Sequence, residues 1–149
     1  MIYWLTGQPG HGKTTLAKIF KIYLESDGKN VIHIDGDDLR EIFNNKDYSK
    51  EGRIKNITFA QGLAKFLNIK GFDVIVSLVA PYKEVRENFK TDMGDKLVEI
   101  YVHTEEERGR EMNHVSDYEK PTENFIGIDT TNVKPHESLL EIVNQLNLK

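Results

Sequence analysis

Gly7-Gln8-Pro9-Gly10-His11-Gly12-Lys13-Thr14 follows directly on the apolar run Ile2-Tyr3-Trp4-Leu5-Thr6. The eight residues satisfy G-x-x-x-x-G-K-[ST] in full. Glycines allow successive backbone N–H groups to turn toward one anion. The helix beginning near Lys13 directs its positive dipole end at the same place. The Lys13 ammonium reaches the β- and γ-phosphates of a nucleoside triphosphate, and the Thr14 hydroxyl ligates Mg²⁺. Gly7, Gly10, His11, Gly12, Lys13, Thr14 and Thr15 are the expected ATP-binding residues. The alternative is a glycine-rich turn with a purely structural role. The apolar strand before the loop and the amphipathic helix after it argue against that.

Outward from this loop, strands and helices alternate. The expected strands are Ile2–Thr6, Val31–Ile34, Val74–Leu78, Leu97–Val102 and Phe125–Ile128. Most are continuous apolar runs, as in parallel strands buried on both faces. Helices are expected from about Lys13 to Glu25, briefly after Asp37, from about Ile54 to Ile69, around Val85 and Phe89, and from Pro135 onward. Thr104-Glu105-Glu106-Glu107 reads as a capping box opening one more helix. The order implies right-handed crossovers and an α/β, P-loop NTPase-type three-layer sandwich. Its central sheet is mainly parallel and five-stranded, with helices on both faces. The polar, aperiodic stretch 109–123 is the expected mobile lid.

A length of 149 residues fits a single domain, 1–149. With 38% hydrophobic and 30% charged residues the chain is neither disordered nor membranous. The net charge of −4 offers no basic field for polymeric nucleic acid. Cysteine is absent, which excludes disulfides and thiolate metal sites and fits a reducing, cytoplasmic setting. No run approaches the roughly 18 apolar residues of a membrane helix, and the start of the chain lacks the pattern of a signal peptide. The five histidines show no zinc-type spacing. Apart from His11, they are read as structural, and Trp4 as core.

Asp35-Gly36-Asp37-Asp38-Leu39-Arg40 closes the second strand. Ligands of open parallel sheets bind at the carboxyl ends of strands. Carboxylates there either hold Mg²⁺ and accept a proton from an attacking hydroxyl, or simply dress a helix N-terminus. Farther on come Tyr48-Ser49-Lys50-Glu51-Gly52-Arg53-Ile54-Lys55-Asn56, Val76-Ser77-Leu78-Val79-Ala80-Pro81-Tyr82-Lys83 and Tyr118-Glu119-Lys120-Pro121. With the P-loop, these ordered stretches resemble the adenylyl-sulfate (APS) kinase family, whose pattern is D-G-D-x-x-R, aromatic-Ser-x-x-x-R-x-x-N, V-S-x-x-S-P-[YH]-[RK] and Y-E-A-P. The resemblance runs from Ile2 to about Val102 and resumes near Tyr118. It implies transfer of the ATP γ-phosphate, with Mg²⁺, to the ribose 3′-hydroxyl of adenylyl sulfate.

By that resemblance Asp37 is the general base, with Lys13 and Asp35 beside it in the catalytic set. Asp35 joins Thr14 in the metal shell. Arg40 and Arg53 grip the acceptor's 5′ phosphate-type group, for which a planar guanidinium is suited. Tyr48 stacks on the acceptor base. Asn56, Val79 and Ala80 position base and sugar, and Tyr118–Pro121 falls near the ATP base. Without the family, Arg53 and Asn56 read as a solvated helix face.

Two departures matter. Ala80 stands where many family members have serine, which phosphoryl transfer tolerates because it needs no covalent intermediate. The family's long basic lid is also largely missing. Asn124–Asp129 can be aligned with the end of that lid, but the preferred register makes Phe125–Thr130 the last strand. Arg108 and Arg110 remain as lid cations for the transferring phosphate; a surface helix paired with Glu residues is the alternative. The acceptor is therefore open between adenylyl sulfate and another 5′-modified nucleotide, such as a cytidine diphosphoramidate. A reading of another class is an ATP-binding regulatory protein without catalysis. The expected partners are a small-molecule nucleotide and, from the family, a second copy in a homodimer.

Overall fold

A computed structural model describes residues 1–148. Its centre is a sheet of five strands, all parallel: β1 (Ile2–Thr6), β2 (Val31–Asp35), β3 (Asp73–Ser77), β4 (Leu97–His103) and β5 (Phe125–Asp129). Their order across the sheet is β2-β3-β1-β4-β5. β1 lies in the middle because each of its residues is buried, so it needs a neighbour on both edges and a helical layer on both faces. Val76 pairs with Trp4 and Ile34, and Ile100 pairs with Leu5 and Ile126.

The two faces hold separate cores. On one, α1 (Lys13–Ser26) and α5 (Pro135–Gln145) cover the sheet, with Phe20, Leu16, Ile75, Ile128 and Ile142 interlocked. On the other, α3 (Lys50–Ile69) and α4 (Lys83–Met93) pack Ile57, Ala60, Ala64 and Phe89 against Trp4, Val74 and Val76. Trp4 meets Phe89 edge-on, with centroids 5.6 Å apart. The short α2 (Gly36–Ile42) lies beside α3 at the carboxyl ends of the strands. The expected strands and core helices are thus present, and Phe125 opens a strand as the preferred register requires.

Most boundaries fall within a residue or two of expectation, and two elements differ by more. α3 starts at Lys50, a turn earlier than its apolar stripe, because the Ser49 hydroxyl caps it by accepting from the Gly52 amide at 3.3 Å. The helix expected at Thr104 is absent. Thr104 Oγ1 accepts from the Glu106 amide at 3.1 Å, but the Thr131 hydroxyl takes the Glu105 amide at 3.0 Å. Glu105–Arg108 offers no apolar stripe to hold a helix on the sheet, and the connection from β4 to β5 holds only a 3₁₀ turn, Glu111–Asn113. Among the described residues no helix is long and apolar enough to cross a membrane.

Phe20 is fully buried and meets Tyr3 edge-on at 4.8 Å. Replacing it with alanine is expected to cost about 3–5 kcal/mol in urea unfolding, whereas Ile22→Ala on the exposed side of α1 should change stability by less than about 0.5 kcal/mol.

Candidate active site

The carboxyl ends of β1, β2 and β3 open into a cavity of about 720 Å³. The P-loop forms one wall. Gly7 must be glycine because a Cβ there would fall 2.1 Å from the Val102 carbonyl oxygen of β4. Gly12, at φ 98°, occupies the N-cap of α1 in a left-handed conformation. Gly10, Gly12, Lys13, Thr14 and Thr15 line the cavity. Lys13 is buried, and its Nζ donates to the Gln8 carbonyl at 2.9 Å. Burial first, then the charge of Arg110, pushes its pKa down to about 8, against the pull of Asp37 and Asp35.

The opposite wall comes from the end of β2. Asp35 caps α2 with Oδ1, which accepts from the Asp37 amide at 2.9 Å. Its Oδ2 accepts from the Thr14 hydroxyl at 2.8 Å and the Ser77 hydroxyl at 3.1 Å. Burial raises the Asp35 pKa, but the Thr14, Asp37 and Ser77 hydrogen bonds outweigh it and leave the carboxyl below its ordinary value. The Thr14 proton is therefore committed to Asp35, and the hydroxyl lone pairs are left for a cation. Thr14, Asp35 and the exposed Asp37 form an oxygen-only donor set in one cavity, which fits Mg²⁺ completed by phosphate oxygens and water. Among the described residues no cluster of three metal-ligating side chains would hold a metal by itself.

The remaining expected acceptor residues also line this cavity: Arg40, Tyr48, Arg53, Asn56, Val79 and Ala80. Arg40 uses Nη1 to hold the loop before α3, donating to the carbonyls of Asn45 at 3.1 Å and Asp47 at 3.0 Å. Its guanidinium lies 4.1 Å from the ring centroid of Tyr48. Asn56 is buried and donates to the Gly36 carbonyl at 3.3 Å, so the solvated-face reading fails for it. Arg53 is partly buried, 3.7 Å from Asp117 of the β4–β5 connection.

The two lid arginines separate. Arg110 packs over Gly10 and lines the cavity. Arg108 pairs with Glu106, donates to the Thr130 carbonyl at 2.9 Å, and stands beside Gly12 without lining the cavity. His11 does not line the cavity. It is buried edge-on to His114 at 5.1 Å, and burial, then the charges of His114 and Lys13, hold its pKa down to about 4. Tyr118 does not line the cavity: its hydroxyl bonds Thr6 Oγ1 at 2.9 Å, and Tyr101 stacks on it.

Further contributors belong to no motif. Gln8 occupies a free P-loop position, yet its amide pairs twice with the Val115 backbone at 2.8 Å and ties the loop to the lid. Met112, Asn113 and His114 supply the lid side of the cavity. Arg86 reads as one more α4 charge, but it is buried. It donates to Glu99 at 3.0 Å, to the Ala80 carbonyl at 2.5 Å and to the Glu119 carbonyl. It holds Ala80, a non-glycine residue at φ 44°, where the cavity needs it.

The Lys13 ammonium carries its full charge only below about pH 8. Calorimetric titration with ATP should show affinity falling as pH rises through that value, by up to about tenfold per unit, and Lys13→Arg should flatten the dependence.

The family profile described as adenylylsulphate kinase matches residues 1–143. The chain is 33% identical over 143 residues to a cytidine diphosphoramidate kinase from Campylobacter jejuni, covering 93% of this chain and 84% of that one. It is 32% identical over 147 residues to an adenylyl-sulfate kinase from Pseudomonas aeruginosa, covering 95% and 75%. The Mycobacterium tuberculosis APS kinase CysC, solved in complex with AMPPNP and APS, superposes with a TM-score of 0.85 at 23% identity over 98% of this chain and 96% of that one. At that identity the likeness is one of fold.

Proposed function

This chain belongs to the adenylylsulphate kinase family and is a kinase; on that premise we propose that it transfers the ATP γ-phosphate to the ribose 3′-hydroxyl of a 5′-modified nucleotide. One observation carries the reading: the P-loop and the Asp37–Arg40–Tyr48–Arg53–Asn56 set line a single cavity. Donor phosphate and acceptor hydroxyl can therefore meet without water between them.

In this mechanism the P-loop amides and Lys13 hold the β- and γ-phosphates and balance the charge on the oxygens during transfer. Asp37 takes the proton of the attacking hydroxyl. Thr14, with Asp35 behind it, would hold Mg²⁺, which would supply positive charge against the phosphates. Arg40 and Arg53 bind the acceptor's 5′ anionic group, and Tyr48 stacks on its base. Arg110 meets the transferring phosphate from the lid. Intact Lys13, Thr14, Asp35 and Asp37 in one cavity argue against a regulatory protein that only binds ATP.

For the acceptor, adenylyl sulfate is the family's substrate, and the motifs that grip its 5′ group are all present. Cytidine diphosphoramidate is favoured by a specific feature, the short lid. Between β4 and β5 it brings Met112, Asn113 and His114 to the cavity and no second ring of Phe, Tyr or Trp, which suits the smaller pyrimidine. The Campylobacter relative, matched over most of both chains, supports the same choice. Cytidine diphosphoramidate is therefore our first reading and adenylyl sulfate the second. Sulfate assimilation is the corresponding role only under the second.

ADP release, with ATP and Mg²⁺, should appear with the cytidine acceptor and be weak or absent with adenylyl sulfate. Robust turnover of adenylyl sulfate alone would reverse the order, and silence with both would leave the regulatory reading. Lys13→Ala should lower kcat by about 10²–10³-fold and Asp37→Asn by about 10²–10⁴-fold. Tyr48→Ala should raise the acceptor KM by roughly tenfold or more while leaving the KM for ATP unchanged.

A further inference from the structure

Gln8 occupies a P-loop position that the phosphate cradle leaves free, and here its side chain is turned to the lid. Nε2 donates to the Val115 carbonyl and Oε1 accepts from the Val115 amide, each at 2.8 Å. A primary amide is a neutral group with donor and acceptor side by side, so it pairs with the backbone of one residue as a strand neighbour would. The two residues stand 107 apart in the chain. Val115 is buried, which shields the pair from water and makes its loss costly.

From Val115 the constraint runs back to Arg110. The Asn113 amide donates to the Arg110 carbonyl at 3.0 Å, and the His114 amide to the Glu111 carbonyl at 3.0 Å. These bonds close the 3₁₀ turn Glu111–Asn113, so Arg110 and Val115 flank one short, hydrogen-bonded turn. On its other side Val115 accepts from the Tyr118 amide at 3.2 Å. Arg110 reaches over Gly10, its Cβ 3.0 Å from where a Cβ of that glycine would lie.

Arg108 is held by Glu106 and the Thr130 carbonyl. Among the described residues no hydrogen-bond partner fixes the Arg110 guanidinium. Its aim is set by where its backbone stands, and Gln8 fixes that place. The main chain of Gln8 has a separate part. Its carbonyl accepts from Lys13 Nζ at 2.9 Å and from the His11 amide at 3.4 Å, and neither bond needs the Gln8 side chain.

We propose that Gln8 is a positioning residue: its side-chain amide fixes the lid turn so that Arg110 meets the γ-phosphate held by the P-loop. The proposal rests on the kinase reading above and is independent of which nucleotide is the acceptor.

Calorimetric titration of the full chain with a non-hydrolysable ATP analogue and Mg²⁺, set against ADP and Mg²⁺, tests it. Gln8→Leu and Gln8→Met keep the bulk of the side chain and remove both bonds; urea unfolding checks that each variant folds. Affinity for the analogue should fall about tenfold in either variant and in Arg110→Ala, while ADP, which lacks the γ-phosphate, should lose less than about twofold. The double variant Q8L/R110A should bind the analogue about as weakly as either single variant, because Gln8 acts through Arg110. Wild-type affinity for the analogue in a folded Gln8 variant, a loss shared equally by ADP, or single losses that multiply in the double variant would each overturn the proposal. A wild-type chain that does not bind the analogue overturns the kinase reading, and this proposal with it.

Discussion

The carboxylate of Asp35 is the node on which the site is built. One buried side chain accepts from the Thr14 hydroxyl of α1, the Asp37 amide of α2 and the Ser77 hydroxyl of β3. A carboxylate with three donors stays ionised despite burial, and each charge-assisted bond contributes about 1.5–3 kcal/mol. Three elements distant in sequence are thereby fixed at one point. The P-loop threonine is oriented, α2 is started, and Asp37 is aimed into the cavity by the same group. The chain needs β2 to end beside β3 and one strand from β1 for this to happen, which is what the order β2-β3-β1-β4-β5 provides.

Arg86 is the counterpart on the other side of the cavity. Its side chain and that of Glu99 are each 1% exposed, and Lys90 also reaches Glu99, at 2.9 Å. A buried pair of this kind adds little net stability, but losing one partner costs several kcal/mol. What the pair provides is position. The guanidinium joins the carbonyl of Ala80, at the cavity wall, to that of Glu119, at the foot of the lid. Thr6, at the end of β1, reinforces the same loop by donating to the Val79 carbonyl at 2.6 Å. Wall and lid therefore share one anchor.

Much of the fold was legible in the sequence because buried parallel strands are written as unbroken apolar runs, and because the P-loop allows one strand–loop–helix arrangement. Even Phe125, which two registers contested, is a strand residue because the sheet requires an edge beyond β4. The errors fell where polar atoms decide. Thr104 looks like a helix cap, yet the Thr131 side chain takes the amide that would have opened the helix. The first turn of α3 has no apolar signal and is set by Ser49. In the site, the motif residues around Asp37 were readable from their pattern. Gln8 and Arg86 were not, since they act on backbone groups, two of them more than 30 residues away, and on a carboxylate of β4. His11, within the P-loop, and Arg108, beside Gly12, do not line the cavity.

Transfer between the two nucleotides requires one cavity to hold donor and acceptor together. Isothermal titration of the acceptor nucleotide into protein already saturated with a non-hydrolysable ATP analogue and Mg²⁺ tests this most directly. Independent binding to the saturated protein, with affinity equal to or better than that for the free protein, is the predicted result. Loss of acceptor binding in proportion to occupancy by the ATP analogue would show that the two compete for one place, and would contradict it.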